Sequence, residues 1–219
     1  MKRYVMIDLE MCVVPKSHRT KEYGLRQELI QIGAVLLDED LETADRFMTY
    51  VSPEYGIVTP FITRLTGISP KDTEGAPRAA EALRRLAEWM PDDAVPVAWS
   101  ENDEAQIRLE LSEKNLEIPS LAPYMDRWLD CQEEFSEKMH TQKKYNLSEA
   151  LIITGICYDE GIHDALVDAS NTALLFAKMK REPQLELSPY YRDGNDTEES
   201  GYRPFADLFA KAGSVLDRG

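Results

Sequence analysis

Residues 4 to 12 read YVMIDLEMC, an apolar run in which Asp8 and Glu10 bracket Leu9. As a strand, this run sends side chains two apart to the same face, so two carboxylates stand side by side at the end of an apolar segment. Like charges held together are costly unless one is protonated or a cation lies between them. The pair therefore points to a cation site or a shared proton, on a strand that begins the domain.

Working outward, ELIQIGAVLL (28 to 37) is a second, buried strand ending in the turn-like DED of 38 to 40, and RFMTYV (46 to 51) is a third. The short connection between them predicts an antiparallel meander. Helix and strand then alternate: a helix over 79 to 90, a strand VPVAW over 95 to 99, and a helix through DEAQIRLELSEKN with Asp103 at or near its start. MDRWLDC (125 to 131) is a further candidate strand. NLSEALIITG (146 to 155) has Asn and Gly at its two ends, as a helix requires, and a last helix runs from about Asp164 to Lys180, stopped by Pro183. The expected fold class is α/β, a mixed sheet flanked by helices. Residues 1–182 form the expected domain, followed over 183–219 by the acidic linker DGNDTEESG and a short amphipathic piece around FADLFAKAG.

Composition narrows the function. The 219 residues carry 40 acidic and 25 basic side chains, a formal net charge of -15, which disfavours a protein that coats long duplex nucleic acid by charge alone. A basic cluster does occur at 13 to 27, with Lys16, His18, Arg19, Lys21 and Arg26, and is read either as a solvated loop or as a basic rim beside the first-strand acids. Three cysteines without a CxxC give neither a disulfide framework nor a zinc site. With no apolar stretch near the roughly 18 residues of a membrane span, the expectation is a soluble cytoplasmic protein with no membrane partner.

Two more acids stand out. Asp103 follows the strand VPVAW, and the carboxyl ends of strands are where open α/β sheets bind ligands. Asp168 lies in the first turns of the last helix, five positions after His163; His18 and His140 read as surface residues. Carboxylate oxygens suit hard cations such as Mg²⁺ or Mn²⁺, and two such ions can clamp a scissile phosphate and activate water. A histidine, titrating near neutrality, is suited to take that water's proton.

In this order the motifs resemble the DEDDh branch of the DnaQ-like 3′-to-5′ exonucleases, which have the ribonuclease H-like fold, here a mixed five-stranded sheet flanked by helices. DLE (8 to 10), WSENDEAQI (99 to 107) and GIHDALVDASNTALLF (161 to 176) are similar to its three motifs, and YVSPEYGIVTPFITRLTGIS (50 to 69) is similar to the subgroup of histone-mRNA and small-RNA 3′-end exonucleases. The resemblance implies that Asp8, Glu10 and Asp168 hold one metal ion, that Asp8 shares a second, that Asp103 binds directly or through water, and that His163 is the general base. It further implies that Leu9, Met11, Leu65 and Thr66 approach the terminal nucleotide. From its sequence alone, LTGI is a helix end capped by Gly67 with Leu65 and Ile68 packed inward, and Trp99 is a core residue. The expected activity is 3′-to-5′ hydrolysis of single-stranded ends, RNA favoured, with two Mg²⁺ or Mn²⁺ ions. A DNA proofreading or repair exonuclease is the alternative on the same fold. A catalytically inactive nucleic-acid-binding module is another, but it is expected to lack one of the five residues, and all five are present.

Overall fold

A computed structural model describes residues 2–20, 23–158, 163–189 and 191. Its centre is a five-stranded sheet of β1 (Tyr4–Val13), β2 (Gln27–Leu37), β3 (Thr43–Tyr50), β4 (Val95–Ala98) and β5 (Leu129–Asp130), in the order β3-β2-β1-β4-β5. The meander β1-β2-β3 is antiparallel, and β4 and β5 add in parallel, so the sheet is mixed as expected. The helices are α1 (Pro60–Thr66), α2 (Pro70–Thr73), α3 (Ala79–Trp89), α4 (Glu101–Glu113), α5 (Ala122–Met125), α6 (Cys131–Lys138), α7 (Leu147–Ile153) and α8 (Ala165–Arg181). Among the described residues no helix is long and apolar enough to cross a membrane.

β1 shows how the site is left open. Val5, Ile7 and Leu9 enter one core with the apolar faces of α3 and α4, while Met6 on the other face enters a second core built by α6, α7 and α8. Further along that second face, Cys12 joins a third cluster with Ile30, Ile62 and Ile68. Asp8 and Glu10 lie between Met6 and Cys12 on this alternation, in the gap between two apolar clusters. β4 pairs with β1 only from Tyr4 to Met6, so the edge of β1 is free of a strand partner on that side where the acids begin. A register slip between Glu10 and Met11 leaves Ile30 as the extra residue on β2.

α8 is held to the sheet by Leu175, Phe176 and Met179, all essentially buried; burial of each such side chain stabilises by roughly 1.5–3 kcal/mol. Asp164 caps it, accepting from the N–H groups of Leu166 and Val167 at 3.0 and 3.1 Å. Past residue 182, Leu185 remains buried in the same core and the Ser188 N–H donates to the Ile153 carbonyl at 2.7 Å. The expected linker and the FADLFAKAG piece lie outside the described residues.

Three expectations change in detail. Of 125 to 131, only Leu129 and Asp130 pair as a strand, because Ala122–Met125 is helical and Cys131 starts α6. Gly67 does cap α1, at φ 75° with its N–H on the Thr63 carbonyl, but Leu65 is 41% exposed while Ile68 alone turns inward. The 13 to 27 segment is not simply solvated: Val14, Tyr23 and Leu25 form a small apolar cluster, and Arg19 bonds the Val14 carbonyl. Lys16, His18 and Arg26 are exposed, and Lys21 lies outside the described residues.

Candidate active site

Asp8 and Glu10 stand on β1 opposite Gly33 and Gln31 of β2. Asp103 comes from the first turn of α4, whose cap is Ser100, and the half-buried Asp168 from the first turn of α8. One oxygen of Asp103 accepts the Leu9 N–H at 3.1 Å, so the strand edge that β4 vacates fixes the second acid directly behind the first pair. His163 stands two residues before α8, mostly exposed, with Nδ1 3.6 Å from Asp168 Oδ2. Ligand atoms of Glu10, His163 and Asp168 all lie within 4.8 Å of one another, close enough for one metal ion to be shared.

The electrostatics suit a site that binds a cation. Burial, then the charges of Asp103, Asp168, Glu10 and Asp164, push Asp8 well above the usual carboxylate range. Burial and the charges of Asp168, Asp103 and Asp164 carry Glu10 to about 8. Burial brings Asp103 to about 7 even though the Leu9 N–H opposes it. Asp168 is also raised by burial, with His163 and Asn171 pulling it back. Among the described residues no lysine or arginine pairs with any of the four. Four carboxylates crowded enough to resist ionising together are a donor set suited to a hard divalent ion, with the imidazole of His163 at their edge.

All five expected site residues are thus brought to one place. The expected substrate contacts divide. Leu65 is exposed and Met11 half-buried, whereas the Leu9 side chain is buried in the core and Thr66 spends its hydroxyl on the Ile62 carbonyl and the Ile68 N–H. Trp99 is buried, as expected of a core residue, and His18 and His140 are exposed. Sequence reading passed over Gln31, Asp164 and Asn171. Gln31 did carry a signal: it is a polar side chain in the middle of an otherwise apolar strand.

A mixed sheet in this order, with acids gathered on its central strand, defines the class as the ribonuclease H-like nuclease fold. The chain belongs to the exonuclease family, whose model matches residues 5–176, and the order Asp8, Glu10, Asp103, His163, Asp168 is that of its DEDDh branch. It is 30% identical over 177 residues to ERI1 exoribonuclease 2 of Danio rerio, a match covering 70% of this chain and 31% of that protein. It is 26% identical over 168 residues to 3′-5′ exoribonuclease 1 of Rattus norvegicus, covering 71% of this chain and 47% of the relative. The match therefore spans less than half the length of either relative. A 3′-exonuclease solved in a study of histone mRNA stem-loop recognition superposes with a TM-score of 0.72 at 21% identity, over 85% of this chain and 84% of that one.

Proposed function

We propose that the protein is a metal-dependent 3′-to-5′ exonuclease acting on single-stranded 3′ ends, RNA in preference to DNA, with two Mg²⁺ or Mn²⁺ ions. The observation that carries this reading is the convergence of Glu10, His163 and Asp168 ligand atoms within 4.8 Å, beside two more acids whose charge no basic residue among those described neutralises. RNA is favoured because the relatives named above are exoribonucleases.

In this reading Asp8, Glu10, Asp103 and Asp168 would hold the metal ions, which supply Lewis-acid stabilisation of the phosphate and of the leaving oxygen. His163, exposed and next to Asp168, takes the proton of the attacking water, and Asp168 holds the imidazole in orientation. Asp103, fixed by the Leu9 N–H, keeps the β1 backbone and the acid cluster in one geometry. The terminal nucleotide lies against Leu65 and Met11, which have surface to offer, while Leu9 and Thr66 contribute through their backbone. The net charge of -15 supports a footprint of a few nucleotides, with stacking and the metals providing much of the affinity. Free cysteines support a reducing location, the cytoplasm.

The test uses 5′-labelled single-stranded RNA and DNA of matched sequence with Mg²⁺, Mn²⁺ or EDTA. Ladders shortening from the 3′ end with metal, faster on RNA and absent in EDTA, are expected. Faster digestion of DNA would select the repair reading, and no digestion of either polymer would overturn the proposal.

A further inference from the structure

β2 carries a pair in register with the acid pair of β1: Gln31 opposite Glu10, and Gly33 opposite Asp8. Both members of this second pair receive the start of α8. At Gly33 a Cβ would come within 2.2 Å of the Ala165 carbonyl carbon and the Leu166 nitrogen, so only glycine lets the helix backbone rest on the strand beside Asp8. At Gln31 the fully buried amide makes two bonds: Nε2 donates to Asp164 Oδ2 at 2.8 Å, and Oε1 accepts the Ala165 N–H at 3.0 Å. Asp164 spends its other oxygen on the Leu166 and Val167 N–H groups. It is thus a fifth carboxylate near the site whose two oxygens are both committed within the protein, and it is not needed as a ligand.

We propose that Gln31 is a positioning residue that, through Asp164, sets the segment carrying His163 and Asp168 at the height of the β1 acids. The inference rests on the nuclease reading of the site. Gln31 has no exposed surface to offer a nucleotide, so its effect falls on turnover rather than on substrate affinity. Loss of a direct hydrogen-bond partner of a metal ligand typically lowers activity or metal affinity about 10- to 100-fold; Gln31 acts one residue further back, through Asp164, so the lower end of that range applies, and a small misplacement near the reacting atoms has effects of similar size.

The bonding pattern permits a polarity swap. In Gln31→Glu the Ala165 N–H keeps its acceptor, but a second carboxylate oxygen faces Asp164. In Asp164→Asn the cap is kept, but two amide donors face each other. In the double variant the amide introduced at position 164 donates to the carboxylate introduced at position 31, and every bond is restored with the formal charge unchanged. With wild type, both singles and the double, the measurements are kcat and KM on a single-stranded RNA oligomer, and Mn²⁺ affinity by calorimetry without substrate. Asn146→Ala, which removes the cap of α7, a helix that packs on α8 but carries none of the five site residues, serves as a control for general loss of stability. Each single is expected to lose about tenfold or more in kcat and in Mn²⁺ affinity with KM within about twofold, the double to recover both to within about threefold, and the control to lose neither. Singles with wild-type kcat and Mn²⁺ affinity, or a double no better than the product of the singles, would overturn the proposal. If the wild type digests neither RNA nor DNA, the nuclease reading fails, while the Mn²⁺ cycle still decides whether Gln31 seats the segment.

Discussion

Among the described residues two groups of acids are wholly or partly buried, and α4 joins them. At its start Asp103 faces Asp8, Glu10 and Asp168. At its end Glu110 and Lys114 meet Glu28 of β2, with Lys114 Nζ 2.7 Å from a carboxylate oxygen of each. Glu28 also takes the Tyr23 hydroxyl at 2.6 Å and the N–H groups of Glu54, Tyr55 and Gly56, and Glu110 takes the Leu29 N–H at 2.9 Å. The second group carries its own cation and donors and locks the loop before α1 to the sheet. The first has donors in the Leu9 N–H and Asn171 but, for positive charge, only a histidine beside it among the described residues, and its acids are pushed up instead. Acidic burial alone therefore does not mark a metal site; the acids that lack an internal cation are the ones the proposed function gives to metal.

The largest expected effect is at the first group. Asp8→Asn removes an interaction worth about 4 kcal/mol or more of transition-state stabilisation, and turnover should fall about 10³-fold or more. The same variant, melted in EDTA, should be as stable as wild type or more so, because an amide is neutral in the crowded site without having to take up a proton. Turnover near the wild-type value would break the assignment. Next comes Lys114→Met, which strands two buried carboxylates and should lower stability by about 3–5 kcal/mol in denaturant titrations. Added Mg²⁺ should not recover it. If it did, the two groups would not differ as described.

How legible this was depended on whether charge broke a pattern. Asp8 and Glu10 interrupt an apolar run, and Asp164 and Pro183 bracket α8 with ordinary boundary signals, so both could be read from the residues. The buried stripe of α4, by contrast, is Asp103, Gln106, Ile107 and Glu110, three of its four members polar; the acid at its start marks such a helix, but hydrophobic periodicity does not show what its inner face holds. α6 buries only Cys131, Phe135 and Ser136, too sparse a pattern to separate CQEEFSEK from the strand residues before it. Leu65 was expected inside because it is apolar, yet on a two-turn helix at the rim only Ile62 and Thr66 face inward. The Gln31 bonds to the start of α8 span more than 130 positions, and no local signal specifies such a partner.

The first group and Glu28 of the second should also respond to pH in opposite directions. In metal-free protein the acids of the first group hold protons in the folded state that they release in the unfolded chain, where carboxylates titrate near about 4. Their contribution is fully present below that pH and is lost as pH rises through about 7 for Asp103 and about 8 for Glu10. Glu28 is the reverse: burial alone would raise it, but Lys114, Tyr23 and the Tyr55 N–H hold it below the usual range, so its contribution is lost as pH falls. Melting temperatures in EDTA should decline from pH 5 to pH 8, and Mn²⁺ should remove the decline. A metal-free profile that rises over this interval would show that the first group is not repelling.

The smallest expected effect separates the two carboxylates within the second group. Both are fully buried and both touch Lys114, so equal burial predicts equal importance. Their surroundings differ. Glu28 is held as an anion, whereas burial leaves Glu110 raised despite Lys114 and the Leu29 N–H, so a neutral group is better tolerated at 110. Glu110→Gln keeps an oxygen for the Leu29 N–H and leaves Lys114 the carboxylate of Glu28, with that of Glu54 at 3.4 Å; it should cost no more than about 1 kcal/mol. Glu28→Gln replaces an acceptor serving a hydroxyl, three backbone N–H groups and the ammonium, and should cost about 2–3 kcal/mol, the range for hydrogen bonds to charged groups. Chemical denaturation of the two variants side by side measures the gap. Equal losses would mean that Lys114, rather than the loop donors on Glu28, decides where the charge resides, since the loop donors are what the two acids do not share.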